Sequence, residues 1–115
     1  MVAIAEQGTC KLLVIDDEIG PRESIRILLK NEYEVICADS VDEGLDLMES
    51  CRPDLIILDI RMPGKSGIDG LREIRKRDAT ISVVMLTGFG ALETAQEAMR
   101  LGANDYLNKP FDTNE

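Results

Sequence analysis

The sequence predicts an α/β fold, a doubly wound parallel sheet of five strands with helices on both faces. Short and almost continuous aliphatic runs recur along the 115-residue chain, and such runs are typical of parallel strands that are buried on both faces. Segments whose apolar residues repeat with a helical period separate these runs. This alternation indicates one parallel sheet joined by right-handed crossover connections.

Five segments have the pattern of strands. The first four are aliphatic runs bounded by polar or charged residues, and the fifth is shorter. They comprise residues 11–15, 34–38, 55–58, 82–86 and 105–108. In a five-stranded doubly wound sheet of order 2-1-3-4-5, the strand order reverses between the first and third strands.

The first predicted helix spans residues 21–31. Its apolar residues Ile25, Leu28 and Leu29 fall on one face, which we expect to pack against the sheet. Pro21 lies near the start of this helix, where its missing backbone N–H leaves no helical hydrogen bond unmade.

Three further helices are predicted. Ser40 and Glu43 have the spacing of a capping box. The helix that they open carries three apolar residues, Leu45, Leu47 and Met48. The last two helices span residues 68–76 and 91–101, and Gly102 is predicted to end the final one in the left-handed conformation.

The length of the chain predicts a single domain, residues 1–115, with residues 1–9 as a flexible lead-in. A sheet of this kind normally has a covering helix after its fifth strand, and the sequence ends at Glu115 before such a helix. We therefore expect a fragment of a longer protein that is cut before its fifth helix.

Charge and composition exclude several classes of function. The net charge of −9 disfavours direct binding of nucleic acid and suits a cation or a partner with a basic face. The absence of histidine excludes Ser–His and Cys–His catalysis and His-ligated metal sites. We see neither a secretory signal nor an apolar run of the roughly 18 residues that a membrane span needs.

The three cysteines have no CxxC spacing. Cys10, Cys37 and Cys51 are an odd number, and we interpret them as small buried apolar residues in a reducing cytoplasm. The expected localisation is therefore cytoplasmic.

Acidic residues follow two strands that flank the reversal of strand order. Asp16, Asp17 and Glu18 follow the first strand, and Asp59 follows the third. Ligands of doubly wound sheets bind beyond the carboxyl ends of the strands at this reversal. The fold therefore predicts at least three carboxylates in one crevice.

Carboxylates so close together need a cation, a proton or more space. Two such charges about 4 Å apart repel by on the order of 4 kcal/mol at an effective dielectric constant of about 20. Oxygen ligands without histidine favour a hard ion, and Mg²⁺ fits better than a full Ca²⁺ cage because it keeps several waters. The alternative interpretation is a solvated acidic rim.

Two more strand ends carry groups that suit an anion. Thr87 follows the fourth strand and Lys109 the fifth. A phosphoryl group on Asp59 would be such an anion, because a carboxylate can accept phosphate covalently. Mg²⁺, Lys109, the Thr87 hydroxyl and the backbone N–H of Gly88 would then share its charge. Taken singly, Thr87 reads as a turn residue and Lys109 as a surface lysine.

The chain resembles the receiver domains of two-component response regulators. The similarity is carried by four stretches that cover nearly the whole chain in the order and spacing of the family, residues 13–18, 54–64, 84–88 and 102–111. The resemblance implies a flavodoxin-like (CheY-like) sheet of order 2-1-3-4-5. Residues 87–112 most resemble receivers that precede an AAA+ ATPase of the nitrogen-regulation (sigma-54 activator) subgroup.

The resemblance also implies roles for individual residues. Asp59 would be the phosphoacceptor, with Mg²⁺ bound by Asp16, Asp17, Asp59 and the backbone carbonyl of Arg61. The other implied roles are phosphate contacts by Thr87 and Lys109, by the backbone at Ile60 and Gly88, and an aromatic switch at Tyr106. Read from the residues alone, Tyr106 is a half-buried strand aromatic.

The same resemblance implies partners. A sensor histidine kinase would donate the phosphoryl group, and an output domain on the same parent polypeptide would control transcription. A homodimer is left open, because the surface of the fourth helix, fifth strand and fifth helix is incomplete. Such a domain is a signalling switch rather than an enzyme with a separate substrate.

Three other kinds of site fit the sequence less well. Gly64-Lys65-Ser66 imitates the end of a P-loop, but that motif needs glycine at the position of Asp59. A dehalogenase-type phosphatase has a second aspartate where this chain has Arg61. An FMN site would place phosphate against Asp16 and Asp17. Two competing functions stay open, a docking receiver that needs no phosphate and a free-standing phosphatase.

Overall fold

Five parallel strands form one sheet. The structure is a computed structural model and describes residues 10–62, 64–88 and 92–108. The strands are β1 (Cys10–Ile15), β2 (Tyr33–Ala38), β3 (Leu55–Asp59), β4 (Ser82–Thr87) and β5 (Asp105–Asn108). Their spatial order is β2-β1-β3-β4-β5, and every neighbouring pair is parallel. The predicted fold class and strand order are confirmed.

Four helices connect the strands. They are α1 (Ile19–Leu29), α2 (Val41–Cys51), α3 (Gly67–Arg77) and α4 (Leu92–Arg100). The larger core cluster unites α2, α3 and α4 with alternate residues of the strands, such as Leu13 and Ile15 of β1. Leu12 and Val14 point to the other face, where Ile25 of α1 covers them. The sheet is therefore buried on both faces, as its aliphatic strands require.

Helix α1 differs from its predicted form at both its start and its buried face. It begins at Ile19, two residues before Pro21, which still lies in the first turn. Ile25 is buried and Leu29 packs beside it, as expected. Leu28 is 51% exposed, so its predicted packing is wrong. It lies about 100° of helical rotation from Leu29 and faces solvent.

The predicted capping box at the start of α2 forms only in part. The Ser40 hydroxyl accepts a hydrogen bond from the Glu43 N–H at 3.1 Å. The Glu43 carboxylate, however, accepts from the N–H of Asp39 at 2.8 Å rather than from that of Ser40. A complete box opens α3 at Ser66 and Asp69, which sequence reasoning missed because aspartate replaces the usual Glu or Gln.

Two of the other sequence expectations about local structure are confirmed. Leu45 and Met48 of α2 are buried, with Leu47 packed against the same cluster. Gly102 follows α4 with a φ of +109°, a left-handed conformation that glycine adopts without strain. The predicted lead-in and the region after Asn108 lie outside the described residues. Within the described residues, no helix combines the length and the apolar character needed to cross a membrane.

The cysteines are free thiols, but not all are buried. Cys37 and Cys51 are half-buried, whereas Cys10 is exposed at the start of β1, so the prediction for Cys10 is wrong. Burial raises the pKa of the Cys37 thiol, although the neighbouring Arg26 guanidinium partly offsets this. Arg26 donates a hydrogen bond to the Cys37 sulfur at 3.3 Å.

Candidate functional site

Three aspartates converge at the carboxyl ends of β1 and β3. One carboxylate oxygen each from Asp16, Asp17 and Asp59 can be chosen so that all three lie within 4.8 Å of one another. Asp16 is 0% exposed and Asp59 2% exposed, whereas Asp17 faces solvent. The structure thus brings together the carboxylates that the reversal of strand order predicted.

The loop after β1 is held in place by its own backbone and by one arginine. The N–H of Asp16 donates to the carbonyl of Ala38 at 3.0 Å, which extends the pairing with β2. The Asp16 carboxylate accepts from the N–H of Glu18 at 2.9 Å, and the Asp16 carbonyl accepts from the Arg22 guanidinium at 2.7 Å. Sequence reasoning missed Arg22, although its place in the first turns of α1 puts it within reach of this loop.

Asp59 is positioned by the close approach of α3. The N–H of Gly67, the first residue of α3, donates to the Ile60 carbonyl at 2.8 Å. A side chain at Gly67 would collide with the backbone carbonyl of Asp59, so only glycine allows this approach. Gly67 was also missed, and its signal in the sequence is a glycine directly after the helix-capping Ser66.

A small cavity opens beside the carboxylates. Its volume is about 230 Å³, and it is lined by Asp17, Glu18, Asp59, Arg61 and Gly88. At about 30 Å³ for each water, this volume accommodates an ion together with several waters. The Arg61 side chain is exposed and Gly88 is half-buried. Three of the residues predicted to surround Asp59, namely Asp17, Arg61 and Gly88, therefore line one space with it.

The donor set fits a hard cation. The converging ligand atoms are carboxylate oxygens, two of them on buried side chains. Burying like charges side by side is unfavourable unless a positive charge compensates them. Oxygen donors and room for water match the preferences of Mg²⁺. The cluster can thus hold a metal ion.

The backbone N–H of Ile60 does not face this cavity as a donor. It donates to the carbonyl of Leu86 at 3.0 Å, which continues the pairing of β3 with β4. The family resemblance had instead implied a contact from the backbone at Ile60 to phosphate. The Ile60 N–H is already paired within the sheet, so it is not available as a donor to phosphate.

Thr87 ends β4 and is 2% exposed. Its hydroxyl donates to the side-chain oxygen of Asn108 at 2.8 Å and approaches the carbonyl of Leu107 at 3.4 Å. Sequence reasoning placed Thr87 at this edge but missed Asn108. Tyr106 is half-buried and packs against the larger core cluster, as expected of a strand aromatic. Lys109 lies outside the described residues.

Sequence comparison supports the geometry. Residues 12–115 match the profile of the response regulator receiver domain. The chain is 38% identical over 110 residues to sporulation initiation phosphotransferase F of Bacillus subtilis, covering 91% of this chain and 86% of that protein. It is 37% identical over 106 residues to the regulatory protein AtoC of Escherichia coli, covering 91% of this chain. It spans only 23% of the length of AtoC.

Structural comparison agrees. The receiver domain of NtrX from Brucella abortus superimposes with a TM-score of 0.85 at 36% identity, covering 90% of this chain and 89% of that domain. Similarity to the receivers of both AtoC and NtrX is consistent with the predicted subgroup. The profile match, the strand order and the aspartate cluster lead to one conclusion: the chain belongs to the response regulator receiver domain family.

Proposed function

We propose that this chain is a phosphorylation switch in which Asp59 accepts a phosphoryl group from a partner sensor histidine kinase in the cytoplasm. The observation that carries the proposal is the convergence of Asp16, Asp17 and Asp59 beside a cavity at the carboxyl end of the sheet. The described lining of this cavity includes three carboxylates, so an added cation would find oxygen ligands there and would relieve their mutual repulsion.

The acidic residues have distinct roles in the proposed metal site. Asp17 would bind Mg²⁺ directly and Asp16 would bind it directly or through water. Asp59 and the backbone carbonyl of Arg61 would supply further oxygens. When bound, Mg²⁺ offsets the negative charge of the carboxylates and of the phosphoryl oxygens. The hydrogen bond from Arg22 to the Asp16 carbonyl holds the loop that carries the first two ligands.

The transfer step conserves atoms and charge. A carboxylate oxygen of Asp59 attacks phosphorus, the P–O bond forms, and the P–N bond of the donor phosphohistidine breaks with its electron pair returning to the imidazole. The Thr87 hydroxyl, the Gly88 N–H and Lys109 stabilise the transferred oxygens. The kinase must supply the histidine because the chain has none.

The surface around α4 and β5 carries the signal. Phosphate on Asp59 draws the Thr87 hydroxyl toward it, and the Tyr106 side chain turns inward into the space that Thr87 leaves. The equilibrium between the inactive and active conformations then shifts, because phosphate interacts more favourably with the active one. An output domain on the same parent polypeptide reads this surface, with transcription as the controlled process. The domain turns over no separate metabolite.

Exposed side chains near the site suit a protein partner. Ile19, at the start of α1 and three residues from Asp16, is 67% exposed. An exposed apolar side chain next in sequence to Glu18, which lines the acidic cavity, offers a contact for a partner kinase, and a basic surface on that kinase would complement the acidic chain. The net charge of −9 favours association with such a surface.

Labelling with a small acyl phosphate tests the proposal. Wild-type protein incubated with Mg²⁺ and acetyl phosphate is expected to gain one phosphoryl group by intact mass. Asp59→Asn should gain none, because its amide cannot form the acyl phosphate. Asp46→Asn is the matched control, since Asp46 is an exposed aspartate on α2 and its variant should label like wild type. Equal labelling of Asp59→Asn and wild type contradicts the assignment.

A further inference from the structure

Thr87 has a hydrogen-bond partner that its proposed role does not explain. The hydroxyl of this buried threonine donates to the side-chain oxygen of Asn108 at 2.8 Å. The competing contact to the Leu107 carbonyl is longer, at 3.4 Å. A hydroxyl carries one hydrogen, so it makes one strong donated bond at a time. In this structure that bond goes to Asn108.

The sheet itself creates this contact. Thr87 and Asn108 are aligned partners in the parallel pairing of β4 with β5, so their side chains lie next to each other at the end of both strands. The contact joins residues 21 positions apart in the sequence. Asn108 is exposed, so its amide has room to turn toward water once the threonine hydroxyl leaves.

We propose that Asn108 is a positioning residue that holds the Thr87 hydroxyl away from Asp59 in the unphosphorylated state. This inference rests on the proposed function, because it assumes that phosphate on Asp59 recruits the same hydroxyl. The carbonyl oxygen of Asn108 and a phosphoryl oxygen then compete for one hydrogen. The Asn108 contact favours the inactive state, and phosphorylation must break it.

This competition predicts the direction in which removal of Asn108 changes anion binding. Loss of the Asn108 acceptor should favour every state in which Thr87 contacts an anion on Asp59. One ordinary hydrogen bond corresponds to a change of roughly two- to tenfold in such an equilibrium. A residue that only supported the strand would act in the opposite direction, because its removal would loosen the site and weaken anion binding.

A double-mutant cycle with beryllofluoride, an unreactive mimic of the phosphoryl group, tests this inference. Affinity is measured in Mg²⁺ for wild type, Asn108→Ala, Thr87→Ala and the double variant. Asn108→Ala should bind about two- to tenfold more tightly than wild type. Thr87→Ala should bind more weakly, and adding Asn108→Ala to it should change nothing further, because the competing hydroxyl is gone.

Two controls separate the possible causes. Asn108→Leu keeps the approximate size of the side chain without an acceptor and should reproduce the effect of Asn108→Ala. Thermal unfolding of each variant shows whether the fold is retained. Weaker or unchanged binding by both Asn108 variants overturns the inference, as does an equal effect with and without Thr87. Failure of wild type itself to bind beryllofluoride would count against the proposed function instead.

Discussion

The two ends of the sheet treat polar groups in opposite ways. In the described part of the chain, the polar or charged side chains that are buried are Asp16, Asp59 and Thr87, and all three lie at the carboxyl ends of strands. At the amino ends, the half-buried Arg75 of α3 is surrounded by acceptors from its own chain. The carboxyl end brings negatively charged carboxylates close together. At the amino end, the positively charged guanidinium of Arg75 is hydrogen-bonded to several backbone carbonyls.

Arg75 connects three segments at the amino end. Its guanidinium donates to the carbonyl of Gly102 through two nitrogens, at 3.0 and 2.7 Å. It also donates to the carbonyls of Asp78 at 3.2 Å and Ile81 at 2.7 Å, and to the side chain of Asn104 at 3.1 Å. The loops before β4 and β5 are therefore tied to the last turns of α3.

This difference between the two ends indicates that the amino end mainly supports stability and the carboxyl end mainly supports function. At the amino end, donors and acceptors satisfy one another within the protein, which stabilises the fold. At the carboxyl end, the carboxylates of Asp16, Asp17 and Asp59 crowd together, and a cation from outside would relieve their repulsion. A change at one end should affect unfolding, and a change at the other should affect what the protein binds.

The largest effect on stability is expected from Arg75→Ala. Loss of a charged donor to several carbonyls should lower the free energy of unfolding by about 2–4 kcal/mol, measured by urea unfolding. Arg72→Ala on the same helix is the control. Arg72 is about half exposed, and its polar contacts within the described residues are surface ion pairs with Asp69 and Glu97, so its variant should stay within about 0.5 kcal/mol of wild type. Similar losses of unfolding free energy in Arg75→Ala and Arg72→Ala would show that the amino end does not depend on the contacts of Arg75.

Mg²⁺ should stabilise the protein through the opposite end. At a concentration of Mg²⁺ about 100-fold above its Kd, the free energy of unfolding should rise by about 2.7 kcal/mol. Asp17→Asn should lose most of this gain because it removes a proposed ligand, whereas Arg75→Ala should keep it. Thermal unfolding with and without Mg²⁺ measures each difference. An equal gain in Asp17→Asn and wild type would place the ion elsewhere.

Gly67→Ala tests whether packing holds the acidic end in position. The added methyl collides with the backbone of Asp59 and should cost about 1–3 kcal/mol of stability, with slower labelling by acetyl phosphate. Gly20→Ala in the first turn of α1 is the control, because a methyl there meets nothing within 4 Å. That variant should be unchanged or about 0.5–1 kcal/mol more stable. Normal labelling of Gly67→Ala would show that Asp59 tolerates displacement.

The smallest effect concerns pH at the amino end. The N–H of Thr80, its hydroxyl and the N–H of Ile81 donate to the Asp78 carboxylate and lower the pKa of that group from 3.8. A lowered pKa contributes stability that is present above about pH 4 and lost as the pH falls through the folded-state pKa. Wild type should therefore exceed Asp78→Asn in stability at neutral pH, with the gap closing in acid.

Thr80→Ala sharpens that measurement. It removes one of the three donors to Asp78, so the pH-dependent gap should become smaller without disappearing. The readout is the midpoint of urea unfolding between about pH 2 and pH 7. A gap that persists unchanged at low pH would mean that Asp78 acts through its shape rather than through its charge.

Local patterns were sufficient for most of the fold and for the location of the site. Aliphatic runs and helical periods predicted the element order because they reflect burial of each element on its own. The aspartates and Thr87 could be placed together because the carboxyl ends of parallel strands share one edge. Leu28 was wrongly predicted to be buried. An apolar pattern defines the buried face of a helix only approximately, and the packing of neighbouring elements determines which residues at its edge are covered.

The sequence by itself determined that this chain builds a parallel sheet, with acidic residues after the first and third strands, a threonine after the fourth and a lysine after the fifth. Only the tertiary structure decided which groups pair, as in the contacts of Thr87 with Asn108 and of Arg75 with Gly102. These contacts join residues 21 and 27 positions apart. Periodicity is a local property, whereas a hydrogen bond depends on the distance and direction that packing imposes between segments.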